Sequence, residues 1–140
     1  MPAGTSMRLN IATAFDCPFD GRVDQSDTLD ILDDLVPIMP EAEICLCDTT
    51  GRATPDQVHQ LFSAAQDRFP QVGRWAMHAH DTYGLGLANV YAAWLAGVRV
   101  FDAAVAGLGV ESVDEGTVVA ARLGSPMRLK LKENWIPRRW

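Results

Sequence analysis

Two histidines separated by a single residue, His78 and His80, stand in the apolar stretch WAMHAHDTYG. On a β-strand, side chains at positions i and i+2 point to the same face, so two imidazoles at this spacing can converge on one point. Two imidazoles, with carboxylate and water oxygens, suit a hard or borderline divalent ion. Such an ion acts as a Lewis acid on the carbonyl and hydroxyl oxygens of a substrate. The alternative is that one of the histidines is simply buried and hydrogen-bonded.

Three aspartates accompany the histidine pair. Asp48 follows the preceding apolar segment, Asp102 lies in the next one, and Asp81 comes directly after His80. In parallel α/β folds the loops at the carboxyl ends of the strands build the active site, which favours Asp48 and Asp102 as neighbours of the pair. Asp81 can hold a histidine tautomer or cap the following helix. Helix capping and loop hydrogen bonding are the alternatives for all three.

Strand and helix patterns alternate along the chain and position these groups. The short β-capable apolar segments that predict strands are residues 9–15, 43–47, 75–80 and 98–105. The segments with helical spacing of apolar residues are 26–36, 54–65, 87–95 and 112–122. Ser26 is the expected N-cap of the first helix, and Thr54 before Pro55 begins the second. A repeat of about thirty residues requires parallel strands joined by right-handed crossovers, so the predicted class is α/β.

Charge and composition exclude several classes of function. The net charge of -6 gives no basic field over the main body for a nucleic-acid backbone. The three cysteines, Cys17, Cys45 and Cys47, are an odd number and predict free thiols in a reducing, cytoplasmic environment. The longest apolar stretches are shorter than the ~20 residues that cross a bilayer. Gly84-Leu85-Gly86 lacks the third glycine of a dinucleotide fingerprint.

The composition changes near residue 125, which predicts a domain at residues 1–124 and a basic tail at residues 125–140. Residues 129–132 alternate leucine and lysine, as an edge strand protected by charge would. The tail is interpreted as disordered or as a packing arm. The alternative is that its basic residues bind an anionic surface.

Three stretches resemble the 3-hydroxy-3-methylglutaryl-CoA (HMG-CoA) lyase family, a family of metal-dependent (β/α)8 TIM-barrel enzymes. They are AFDCPFDGRV, CLCDTTGRATP and HAHDTYGLGLANVYAAWLAGVRVFDAAVAGLG, and the resemblance spans residues 8–109. It implies that His78 and His80 bind a divalent metal, Mg or Mn, and that Asp48 is the active-site aspartate. The implied substrate is an acyl-CoA, split from HMG-CoA into acetyl-CoA and acetoacetate.

The sequence also departs from this family. It contains no Arg-Asp-Gly motif of the family's first strand, and residues 110–116 replace the glycine-rich loop with its catalytic cysteine and the later metal-binding asparagine. The expected fold is therefore a partial (β/α)8 barrel of about four parallel strands alternating with helices, matching strands five to eight. Such a sheet has two open edges, which predicts a homo-oligomer that closes the half-barrel or a tail that covers an edge.

Three functions remain open at this point. The first is an HMG-CoA lyase-like carbon–carbon lyase, expected to be incomplete or inactive as an isolated chain because the missing groups stabilise the enolate. The second is a truncated, non-catalytic domain. The third is a carboxyltransferase or decarboxylase relative that acts on a 2-oxo acid, since those relatives share the His-x-His strand.

Overall fold

The structure is a computed structural model that describes residues 6–103 and 127–130. Its strands are β1 (Arg8–Ile11), β2 (Asp16–Cys17), β3 (Gly21–Arg22), β4 (Glu43–Asp48), β5 (Trp75–Ala79), β6 (Val100–Ala103) and β7 (Met127–Lys130). Its helices are α1 (Gln25–Leu35), α2 (Pro55–Arg68) and α3 (Gly86–Leu95). No helix in the described part of the chain is long and apolar enough to cross a membrane.

Five strands form one sheet in the order β1-β4-β5-β6-β7, and β2 pairs with β3 in a separate antiparallel ribbon. The first four strands of the large sheet are parallel. Four parallel strands alternating with helices confirm the predicted α/β class. The fifth strand, β7, runs antiparallel along β6 and overlaps the predicted edge strand, residues 129–132, at Leu129 and Lys130; residues 131–132 lie outside the described residues.

Alternate residues of the central strands pack against the helices. On β5, Trp75 and Met77 belong to the main hydrophobic core, which also contains the buried stripe of α2. The ring of Phe62 on α2 meets the Trp75 ring edge-on, with centroids 6.5 Å apart and an interplanar angle of 89°. The stripe predicted from helical spacing is therefore confirmed, and burial of this face fixes which side chains of β5 point the other way.

The opposite face of the sheet is concave. Its centre is a second buried cluster of Cys45, Cys47, Ala76 and Val100. Arg8 of β1 reaches across β4 and β5 to bind Asp102 of β6. Neighbouring strands lie about 4.8 Å apart, so one side chain spans three strand steps only if the sheet curls. This curvature is that of a segment of barrel wall.

Two local predictions are corrected by the structure. The first strand ends at Ile11 instead of Phe15, because Thr13 adopts a φ of 52°, which an extended strand does not accommodate. The N-cap of α1 is Asp24 instead of Ser26. The Asp24 carboxylate accepts a hydrogen bond from the Ser26 N–H at 3.1 Å, so the helix begins at Gln25.

Other predictions agree with the structure or lie beyond it. Thr54 is the N-cap of α2 with Pro55 at its first position, as expected. All three cysteines are free thiols. The glycine loop at residues 107–109, the last helix at 112–122 and the domain boundary near 125 lie outside the described residues.

Candidate metal centre

The two histidines of the His-x-His stretch meet at the carboxyl end of β5. His78 and His80 lie on the same face, and their Nε2 atoms are 3.1 Å apart. The ring centroids are 5.0 Å apart, with the planes inclined by 38°. Strand alternation predicted this shared face, and two ligands of one divalent ion would have their nitrogens at about this separation. Binding of a metal by the pair stays a prediction.

The protonation of His78 suits a metal ligand. Burial first, and then the nearby His80 and the positive charge of Arg8, together lower the pKa of His78 to about 4. Its side chain is 17% exposed. At neutral pH the imidazole is therefore uncharged and can offer a ring-nitrogen lone pair, as metal binding requires. On this observation the two residues fit a divalent ion as two of its ligands.

A third protein ligand is not brought to the pair by residues 6–103 and 127–130. Among those residues, no group of three or more His, Cys, Asp or Glu side chains is arranged to hold a metal ion. Asp102 comes near, with its Oδ2 atom 4.0 Å from His78 Nδ1, but on the side of the ring away from His80. Two imidazoles alone leave most of a metal's coordination positions to water or to substrate oxygens.

Asp48, the predicted active-site aspartate, ends β4 and is fully buried. It comes directly before the loop to α2, and its carboxyl group is near enough to His80 for the two side chains to interact electrostatically. Its Oδ1 accepts a hydrogen bond from the Ala53 N–H at 3.2 Å. Within the described residues its Oδ2 has no hydrogen-bond partner.

The electrostatics of Asp48 follow from that burial. Burial raises the pKa of Asp48 above its usual value, while N–H groups of Ala53, Gly51 and Arg52 and the charge of His80 act against the increase. A buried carboxyl group with one unbonded oxygen is unusual, because unpaired buried polar atoms are costly. Such groups concentrate at functional sites, which favours the predicted role.

The loops that follow β4 and β5 are in direct contact beside the histidines. A Cβ atom at Gly51, where φ is +73°, would lie 2.8 Å from Thr82 Oγ1, so only glycine fits here. Asp81 accepts a hydrogen bond from the Gly86 N–H at 2.8 Å. Of its two predicted roles, capping of the next helix is the one that the structure shows.

Arg52 and Tyr83 also join these two loops. The Arg52 Nε and Nη2 atoms donate to the Tyr83 hydroxyl at 3.2 and 3.1 Å, and the guanidinium lies 5.4 Å from the ring centroid. The Tyr83 hydroxyl accepts both hydrogen bonds, and the Arg52 guanidinium lies over the Tyr83 ring. These contacts connect the two loops.

Sequence reasoning missed a buried ion network on the concave face. Arg8 donates through Nε to Glu43 Oε1 at 2.5 Å and through Nη2 to Asp102 Oδ1 at 3.3 Å, and its Nη1 contacts Asp102 Oδ2. Arg74 binds the other Glu43 oxygen at 3.0 Å. The sequence does show charged residues at inward-facing positions of three strands, Arg8, Glu43 and Asp102. Their contact, however, depends on the curvature of the sheet.

Residues 5–127 match the HMGL-like family. The chain is 43% identical over 106 residues to an (R)-citramalyl-CoA lyase from Chloroflexus aurantiacus, an alignment that covers 76% of this chain and 33% of the relative. Its fold is similar to the crystal structure of hydroxymethylglutaryl-CoA lyase from Pseudomonas aeruginosa. That similarity has a TM-score of 0.65 and 39% identity, over 75% of this chain and 34% of the other.

A more distant similarity is to the carboxyl transferase domain of pyruvate carboxylase from Rhizobium etli. It has a TM-score of 0.54 and 26% identity, over 66% of this chain and 16% of the other. The chain spans about a third of the length of the curated relatives it matches.

Proposed function

The chain belongs to the HMGL-like family, and from this premise we propose that it serves metal-dependent cleavage of a carbon–carbon bond in a 3-hydroxyacyl-CoA. The family match and the similar lyase structures confirm the resemblance and the partial-barrel fold predicted from the sequence. The specific reaction that we propose is conversion of HMG-CoA to acetyl-CoA and acetoacetate. The hydroxymethylglutaryl-CoA lyase among the relatives supports this choice, and the citramalyl-CoA lyase supports the wider class of acyl-CoA lyases.

The observation that carries the proposal is the 3.1 Å approach of His78 Nε2 and His80 Nε2 at the carboxyl end of β5. Imidazole nitrogens this close together on one face suit one Mg or Mn ion shared with oxygen ligands. When bound, the ion would supply Lewis-acid polarisation of the substrate's carbonyl and hydroxyl oxygens.

The chain's own residues have separate roles in this proposal. His78 and His80 would hold the ion beside the end of β5. Asp48 is proposed to exchange a proton during bond cleavage, since its raised pKa brings the carboxyl group closer to the working pH. Its Oδ2, unbonded among the described residues, is the atom available for that proton.

Calorimetric titration with Mn²⁺ tests the metal assignment directly. We expect wild-type protein to bind, and His78→Ala and His80→Ala each to lose at least about tenfold in affinity, because each removes one ligand. His59→Ala is the matched control, since His59 is exposed on α2. Equal Mn²⁺ affinity in wild type and His78→Ala would remove the ligand assignment.

Release of acetyl-CoA from HMG-CoA in the presence of Mn²⁺ tests the reaction. The expected signal is low, because the chain spans about a third of its relatives and the described part gathers only two ligands. Metal binding without turnover of HMG-CoA would support the second candidate, a non-catalytic domain of this family. Decarboxylation of a 2-oxo acid such as pyruvate would instead support the carboxyltransferase-type alternative.

A further inference from the structure

A buried carboxylate borders the ring of His78 on the side opposite His80. Asp102 lies on β6 beside His78 of β5, since their Cα atoms are partners in the parallel ladder. Its side chain is 1% exposed, and Oδ2 is 4.0 Å from His78 Nδ1. Arg8 contacts both oxygens of this carboxylate. The guanidinium therefore keeps Asp102 ionised and holds it in one orientation.

The short contact between the histidines restricts their protons. Two imidazole nitrogens 3.1 Å apart cannot both present lone pairs or both present N–H groups without repulsion, so one donates and the other accepts. A carboxylate next to His78 Nδ1 favours a proton on that nitrogen. His78 Nε2 then carries the lone pair, and His80 Nε2 donates to it.

We propose that Asp102 is a positioning residue that holds His78 in the Nδ1–H tautomer and thereby turns the Nε2 lone pair toward the metal position. The role in metal binding rests on the function proposed above, whereas the tautomer itself is a property of the metal-free protein. A carboxylate behind a metal-binding histidine fixes both the ring and its tautomer. Arg8 supports this role by fixing Asp102.

The test compares Asp102→Asn with Glu43→Gln by ¹⁵N NMR of the imidazole nitrogens in the metal-free protein. Both variants remove one buried carboxylate from the same Arg8 guanidinium, but Glu43 lies on β4 and binds Arg8 and Arg74, whereas Asp102 is the strand partner of His78. In Asp102→Asn we expect the Arg8 N–H groups to donate their hydrogen bonds to the side-chain amide oxygen. The amide NH₂ then faces His78 and favours the Nε2–H tautomer.

We expect wild type and Glu43→Gln to show the Nδ1–H tautomer of His78, and Asp102→Asn to lose it. We also expect Asp102→Asn to weaken Mn²⁺ binding by about tenfold or more, with a smaller change in Glu43→Gln. A purely structural role for Asp102 predicts equal behaviour of the two variants, and that result would overturn the proposal.

The wild-type spectrum decides the question even if Asp102→Asn does not fold. A His78 ring protonated on Nε2 in the wild-type protein would refute the assignment outright. Absence of Mn²⁺ binding in wild type would instead count against the proposed function, while the tautomer comparison still decides the role of Asp102.

Discussion

Replacing Asp48 with asparagine should stabilise the protein at neutral pH. The carboxylate is fully buried, its Oδ2 has no hydrogen-bond partner among the described residues, and burial raises its pKa. An unsatisfied acceptor atom on a buried charged group costs about 1–3 kcal/mol or more. Asparagine keeps the acceptor for the Ala53 N–H and removes the buried negative charge. We expect a gain of about 1–2 kcal/mol, or roughly 4–8 °C in melting temperature.

The pH dependence gives this prediction its sign. Because the native pKa of Asp48 is raised, the wild-type protein gains stability as pH falls through that pKa, where the carboxyl group becomes neutral. The asparagine variant has no such group, so its advantage should be largest at neutral pH and disappear in acid. Urea unfolding at a series of pH values measures both free energies of unfolding.

Asp67→Asn is the matched control for the loss of one negative charge, since Asp67 is exposed on α2. It should leave stability unchanged. A loss of about 1 kcal/mol or more in Asp48→Asn at neutral pH would refute the reasoning, because it would mean that the ionised carboxylate is stabilised by its surroundings. Increased stability together with lost turnover would be the behaviour expected of a catalytic carboxylate.

Two further predictions concern backbone features. Gly51→Ala should destabilise the protein by about 2–3 kcal/mol in thermal unfolding, because a Cβ would strike Thr82 and φ is positive. Gly21→Ala, with a similar φ but no atom within 4 Å of a Cβ, should cost only about 1 kcal/mol; equal losses would mean that the loop contact is unimportant. Asp24→Ala should lower the melting temperature more than Ser26→Ala, and the reverse order would contradict the cap assignment.

Features that depend on short-range patterns were predictable from the sequence. Thr54 before Pro55 predicted the start of α2, and the period of two on a strand predicted that His78 and His80 share a face. Each of these patterns lies within one element, so it can be interpreted without knowledge of the tertiary fold. The N-cap of α1 was wrong by two residues, because Asp24 and Ser26 are both good caps and only the backbone decides between them.

Features that depend on sheet curvature or burial were not predictable. Arg8 and Asp102 are 94 residues apart, and their contact requires the sheet to bend until β1 and β6 approach each other. The burial of Asp48 beneath the loop to α2 likewise depends on how that loop packs. The sequence placed Asp48 at the end of a strand, whereas the environment that raises its pKa comes from tertiary packing.

The antiparallel strand β7 bears on how two copies of this chain could assemble. Its backbone occupies the hydrogen-bonding positions along β6 from Val100 to Ala103, on the side away from β5. Closing a common barrel from two half-barrels would require that same side of β6 to pair with β1 of the second copy. Association in that manner would therefore have to displace β7 first, and its rate would be governed by release of this strand. With β7 in place, new strand pairing at β6 is blocked.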